Sequence, residues 1–259
     1  MEYTGISGIH VLLKIQENRD HLVSIQEGKL FFRKLSEFAK MPADTAGRAD
    51  RLEGSTHVLG DGPHKIKIES KNGEIIEAEI DDVRVGRSDT DNWYCFCLYA
   101  VNPGEFHDKE IKSFKQYRNH LSIKPKTHGL GRHLIYFTDT QKFFDQILEK
   151  MKADKIVAKI ASVKYVDVEK YSGTRIKEDE IGLIKPSKFS HQNEYRILVK
   201  NPPWTEGTYS YDVGDLRHIT KITTVEDFNS SIEIGFPDDF TMYDKAKFYL
   251  KAFWYDLFH

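Results

Sequence analysis

The segment His191-Gln192-Asn193-Glu194-Tyr195-Arg196-Ile197 carries the most chemistry per residue in this chain. Read as a strand, it puts Gln192, Glu194 and Arg196 on one face and Tyr195, Ile197 and Val199 on the other. An apolar face suits the core, and a face with three polar groups in a row suits a cleft. A fixed carboxylate in such a cleft stabilises a developing cation or orients a nucleophile. The plainer alternative is a solvated strand face with a Glu–Arg pair. The short pattern alone does not decide, because a Gln or Glu two residues before a Glu also occurs at Glu77–Glu79 and Glu178–Glu180.

Three other groups are candidates. His10 and Lys14 lie opposite the aliphatic face Ile9, Val11, Leu13 and Ile15, where His10 would hydrogen-bond a ligand hydroxyl or a backbone group. The loop Gly47-Arg-Ala-Asp-Arg-Leu-Glu-Gly54 offers Arg48 and Arg51 for bidentate phosphate contacts, with Asp50 and Glu53 to order them. A solvated loop with local ion pairs is the alternative there. Lys109–His133 holds seven Lys or Arg against one acid, with Phe114, Tyr117 and three His interleaved. Lys112, Lys115, Tyr117, Arg118, Lys124, Lys126 and Arg132 would bind single-stranded nucleic acid by charge and stacking, or form an ordinary solvated face.

The elements that must position these groups follow from periodicity. Gly8–Ile15 alternates as a strand. Asn18 caps a helix over Arg19–Glu27, which Gly28 stops. Lys29–Arg33 reads as a strand and Ser36–Lys40 as a short helix or turn. Met41–Gly62 reads as a long polar loop. Lys65–Lys71, Asn72-Gly73 and Glu74–Ile80 form a hairpin inserted at about 63–82. Trp93–Tyr99 is apolar on both faces and reads as a central strand.

Lys109–His120 is weakly helical, and Leu134–Phe137 is a short strand. Thr138 or Asp139 caps a helix over Gln141–Met151. Ile156–Val168 holds one or two strands, and Tyr171–Ser187 reads as loop. Glu194–Lys200 is a strand, Thr208–Ile234 holds short strands and turns, and Thr241–Phe258 closes as an amphipathic helix. The expectation is one α+β domain over 1–259, with mixed, largely antiparallel sheets and a few flanking helices.

Composition narrows the class. The chain has 259 residues, with 38 Lys plus Arg against 40 Asp plus Glu and a net charge of -2. Its 39% hydrophobic and 12% aromatic content excludes a disordered chain. No apolar run reaches the roughly 18–20 residues of a membrane span, so no membrane partner is expected. The N-terminus reads as lacking a secretory signal, and with two cysteines the expectation is a reducing, cytoplasmic setting. Cys95 and Cys97 are too close for an ordinary bridge and are expected to pack as small apolar residues. No metal site is expected.

Several blocks, taken in order, resemble known families. The Gly8–Lys14 strand, Lys29-Leu-Phe-Phe-Arg-Lys-Leu-Ser-Glu-Phe38, Gly47–Gly54, Trp93–Cys97, Val163-Lys-Tyr165 and Phe189–Arg196 look like blocks of uncharacterised bacterial proteins of abortive phage resistance. The arrangement is also similar to the ADP-ribosyltransferase fold. The resemblance implies NAD as substrate, with Glu194 catalytic, Gln192 orienting the acceptor and His10 on the ribose.

It further implies cofactor contacts from Lys14, Phe32, Arg33, Arg48, Asp50 and Arg51. Phe32 or Tyr117 would stack on nicotinamide or an acceptor base. The middle strand departs from the family, because Trp93-Tyr-Cys-Phe-Cys97 lacks its Ser-Thr-Ser pattern. The implied activity is that of a phage-defence effector or toxin acting on RNA, DNA or protein, with an antitoxin or regulatory partner chain. The alternative is a nucleic-acid-binding module or nuclease of a defence system without NAD chemistry.

Overall fold

The computed structural model describes residues 2–3, 11–41, 50, 52–60, 62–80, 85–101, 114–200, 202–204, 207–233 and 241–242. His10, Arg48, Arg51, Lys112 and nearly all of the expected closing helix lie outside these residues, as does the side chain of Tyr117. The fold is mixed α+β, with mostly antiparallel sheet and few helices. Among the described residues, no helix is long and apolar enough to cross a membrane. The expectation of one domain meets a chain whose contacts gather in two compact units, interleaved in sequence.

The first unit comprises Met1–Thr4, Lys29–Cys97 and Ile147–Val213. In it, β1 (Glu2–Tyr3) runs parallel to β8 (Ala158–Ser162), and β11 (Glu194–Val199) runs antiparallel to β8. On its other side β11 has β6 (Tyr94–Val101), whose Tyr94–Cys97 half belongs here. β3 (Lys29–Lys34) pairs antiparallel with that half, and β12 (Thr208–Asp212) pairs antiparallel with β3. α2 (Leu35–Ala39) follows β3 directly.

β6 is buried or nearly so along its whole length, as its two-sided apolar sequence predicts. Leu35, Leu52, Val58, Trp93, Cys95, Ala161, Leu183 and Leu198 form the apolar core beside it. The hairpin of β4 (His64–Glu69) and β5 (Ile75–Ile80) forms around Asn72-Gly73 as expected, and every β5 residue is exposed. One expected loop is partly a strand. Within Tyr171–Ser187, β10 (Ile184–Pro186) pairs parallel with β9 (Lys164–Val166). Three-residue strands are too short to show a period in sequence.

The second unit comprises Gly5–Gly28, Leu98–Gln146 and Gly214–His259. Here β2 (Val11–Gln16) lies between the second half of β6 and β7 (His133–Phe137), and β13 (Thr220–Thr224) flanks β7, all antiparallel. Leu13, Ile15, Tyr99, Val101, Ile123, Leu134 and Val225 make its core. The helices are α1 (Arg19–Gln26), α3 (Phe114–Leu121) and α5 (Val225–Ser230). α4 (Thr140–Ala153) contributes its first half here and its second half to the other unit. Asp139 caps α4 by accepting from the Lys142 amide at 2.9 Å.

Asn18 caps α1 as expected, and Gly28 ends it at φ 90°. A Cβ on Gly28 would sit 2.1 Å from the Gly214 carbonyl oxygen. Gly28→Ala is therefore expected to cost about 2–4 kcal/mol in urea unfolding, from left-handed strain plus a backbone clash. Gly73→Ala is the control. It has φ 80° but nothing within 4 Å of an added Cβ, so it loses only the strain, about 1 kcal/mol. Equal losses at the two positions would refute the clash.

Candidate functional site

Glu194 opens β11, and Arg196 follows on the same face, while Tyr195 and Ile197 turn into the core. Gln192 reaches this face by a different route from the one its spacing predicts. It ends a 3-10 turn, Ser187–Gln192, and Asn193 then takes a left-handed conformation at φ 39°. Asn tolerates that region better than most residues, so the chain can turn sharply into the strand.

The result brings Gln192 and Glu194 onto one ammonium group. Lys185 Nζ donates to Gln192 Oε1 at 2.7 Å and to Glu194 Oε1 at 2.5 Å. It also lies 5.0 Å from the centre of the Phe189 ring. Lys185 sits on β10, whose pairing with β9 sets it opposite Tyr165. The Tyr165 hydroxyl accepts from the Glu194 amide at 2.9 Å, and the Glu194 carbonyl accepts from the Val163 amide at 2.9 Å. The backbone of Glu194 is thus held on both sides.

Arg196 extends the network inward. Its Nε donates to Glu194 Oε2 at 2.7 Å. Its Nη1 and Nη2 donate to Glu53 Oε1 and Oε2 at 2.7 and 2.9 Å, a bidentate fork. Nη1 also donates to the Gly182 carbonyl at 2.7 Å. Both Arg196 and Glu53 are 1% exposed.

Glu53 comes from the loop expected to be polar. That loop is buried at Asp50, Leu52, Glu53, Gly54 and Ser55, so it is neither a solvated surface nor an open phosphate cradle at these positions. Asp50 folds it locally, with Oδ1 accepting from the Leu52 amide at 3.0 Å.

The charges explain themselves in pairs. Lys185 and Arg196 balance Glu53 and Glu194. Burial would raise the Glu194 carboxyl, but Arg196 and then Lys185 more than offset it and hold it at about 2. Glu194 is therefore a permanent carboxylate near neutral pH. Its side chain is 11% exposed, against 3% for Lys185 and 1% for Arg196. It is the member of the cluster that reaches furthest toward solvent.

Asp50 is the fifth charge and forms no salt bridge among the described residues. It is 2% exposed, and its Oδ2 has no hydrogen-bond partner among the described residues. Burial first, then the Glu53 charge, push it up to about 7. Counted over the described residues, the cluster is neutral with Asp50 protonated and carries one negative charge with Asp50 ionised.

Other expected site residues do not join. Phe32 is fully buried in an aromatic cluster, 5.7 Å from Phe96 and 5.5 Å from Trp204 between ring centres, and cannot stack on a ligand. Asp50 is buried and orders the turn at Leu52, so it does not reach a dinucleotide from the surface. Arg33 is half-buried, with its guanidinium 5.7 Å over the Phe38 ring. Lys14 is half-buried on β2, paired in register with Ile135 of the second unit.

The basic stretch is exposed at Lys115, Arg118, Lys126 and Arg132. Several of its cations have local partners. Arg118 donates to the Ser230 carbonyl at 3.0 Å, Lys124 donates to the Asn119 carbonyl, and Arg132 pairs with Glu17 at 3.3 Å. Cys95 and Cys97 share one face of β6, with their sulfurs 3.6 Å apart.

The sequence reading missed Lys185 altogether. The one signal was a lone lysine within the apolar run Leu183-Ile184-Lys185-Pro186. Set against known protein families, curated proteins and solved structures, the chain matches none.

Proposed function

We propose that the chain is an NAD-consuming ADP-ribosyltransferase-like effector of phage defence, with Glu194 as its catalytic carboxylate. The observation that supports this reading is a carboxylate held ionised at the outer edge of a closed charge cluster. An ionised carboxylate does not serve as a general acid. It suits electrostatic work, stabilising the positive charge that develops on ribose as the nicotinamide bond breaks. Lys185 and Arg196 fix its position, and Gln192 lies beside it through the shared Lys185 contact. The acceptor on this reading is RNA, DNA or protein.

Glu194→Gln keeps the shape and removes the charge. It is expected to lower NAD consumption by about 10²–10³-fold. Glu194→Asp keeps the charge but withdraws it by one methylene, and is expected to lose activity while remaining folded by circular dichroism. Full turnover in both folded variants would refute the assignment.

A second reading, nucleic-acid binding without NAD chemistry, draws on the exposure of Lys115 and Lys126. It is distinguished by RNA or DNA binding that weakens steeply with salt and ignores NAD.

A further inference from the structure

Cys95 and Cys97 are the chain's two cysteines, and the expectation that they pack as small apolar residues accounts for only part of their surroundings. They occupy alternate positions of β6, so both side chains leave the same face of the strand. Their sulfurs are 3.6 Å apart and share a hydrogen bond. Cys95 is buried in the apolar core of the first unit, and Cys97 is half-buried at its margin. The pair therefore has an inner and an outer thiol.

The neighbourhood is charged on one side. Arg196 feels both sulfurs, and Tyr165 feels Cys97. The dithiol thus lies within electrostatic reach of the Glu194 cluster.

We propose that Cys95 and Cys97 form a redox site that closes to a same-strand disulfide when hydrogen peroxide oxidises Cys97. In the first step the Cys97 sulfur takes one peroxide oxygen. This gives the sulfenic acid and one water, and the thiol sulfur is oxidised while the peroxide is reduced. In the second step the Cys95 sulfur attacks the Cys97 sulfur. An S–S bond forms, the S–OH bond breaks, and the Cys95 proton leaves with the hydroxyl as a second water. Two thiols lose two electrons in all, and the hydrogen peroxide accepts them.

Proximity favours capture. A resolving thiol already in contact traps the sulfenic acid before a second oxidant arrives. Hydrogen bonding to Cys97 and then burial keep the Cys95 thiol protonated, so a solvent oxidant meets Cys97 first.

Geometry also makes the bond reversible. Residues two apart on a strand have Cα atoms about 6.6 Å apart, near the upper end of the disulfide range of about 4.4–6.8 Å. Closing the bond puckers β6 where Cys95 pairs with Arg33. Strained disulfides are the readily reduced, regulatory kind. This proposal does not depend on the transferase reading.

The test treats the folded full chain with hydrogen peroxide and follows intact mass and thiol content. The wild type is expected to lose two hydrogen atoms and both titratable thiols without dimerising, and a dithiol reductant is expected to restore both. Cys95→Ser is expected to gain oxygen at Cys97 instead, and Cys97→Ser is expected to stay unmodified at the same dose. The proposal is overturned if the wild type gains oxygen or links to a second chain. It is also overturned if the wild type keeps both thiols, whether or not Cys95→Ser is oxidised.

Discussion

Arg196→Met is expected to destabilise the fold by about 3–5 kcal/mol, the cost of breaking a buried ion pair by removing one partner. Methionine roughly fills the space, so the loss is electrostatic and not a cavity effect. The guanidinium serves Glu53 with two hydrogen bonds, Glu194 with one and the Gly182 carbonyl with one. Without it, Glu53 loses the bidentate fork while its side chain stays 1% exposed. Urea unfolding at neutral pH reads the loss.

Acid supplies a second signature. Removing the cation that holds the Glu194 carboxyl down raises its folded-state affinity for protons, so the deficit shrinks as pH falls toward the ordinary carboxylate range. Arg196→Met combined with Glu53→Gln should recover part of the loss, because position 53 no longer buries a charge. A single-variant loss below about 1 kcal/mol would put the cluster in the class of weak surface pairs and defeat this account.

The second large effect belongs to Asp50 and runs the other way with pH. Its carboxyl is pushed up to about 7 from an ordinary 3.8, so the folded state holds a proton that the unfolded state releases. Stability is highest below the unfolded value and declines as pH rises toward about 7. The full shift corresponds to on the order of 4 kcal/mol, with about 3 kcal/mol of it between pH 5 and pH 8.

Asp50→Asn keeps an oxygen for the Leu52 amide and cannot ionise. Relative to the wild type it should therefore gain stability between pH 5 and pH 8 by that amount. Comparing the two proteins at each pH cancels the titrating groups that do not interact with Asp50. A parallel pair of urea curves at the two pH values would rule out a neutral Asp50. Glu194 contributes in the opposite sense, because its depressed value makes its stabilisation complete above 4.5 and lost as pH falls toward about 2.

Elements with a repeating pattern were legible in the sequence. The Asn72-Gly73 hairpin, the Asn18 cap of α1, the Phe143, Phe144, Ile147 and Met151 stripe of α4 and the two-sided burial of β6 all follow from local rules. The candidate site was legible only on one strand. Glu194 and Arg196 stood out through their alternation, but their partners come from elsewhere. Glu53 lies 143 residues before Arg196, and no periodicity links the two. Lys185 arrives on a three-residue strand whose pairing with β9 is a tertiary event.

Burial was equally hidden. A polar stretch rich in Gly, Asp and Arg reads as solvated, yet Asp50 and Glu53 are buried, Glu53 against the matching guanidinium of Arg196. Phe32 shows the reverse error. The resemblance implied that Phe32 stacks on a ligand, and its ring instead completes the packing around Trp204.

The β4–β5 hairpin has a consequence for colloidal behaviour. Its ladder contains two strands, so each has an outer edge with no third strand among the described residues. One face carries the cross-strand pair Ile68–Ile76, with the two side chains 56% and 61% exposed. The other carries Lys65 opposite Glu79 and Lys67 opposite Glu77. An isoleucine-rich strand with a free edge is a template for chain-to-chain pairing, and flanking charges are what keep such a template soluble. In concentrated solution, the lysines and glutamates of this short ladder act as gatekeepers against cross-β assembly.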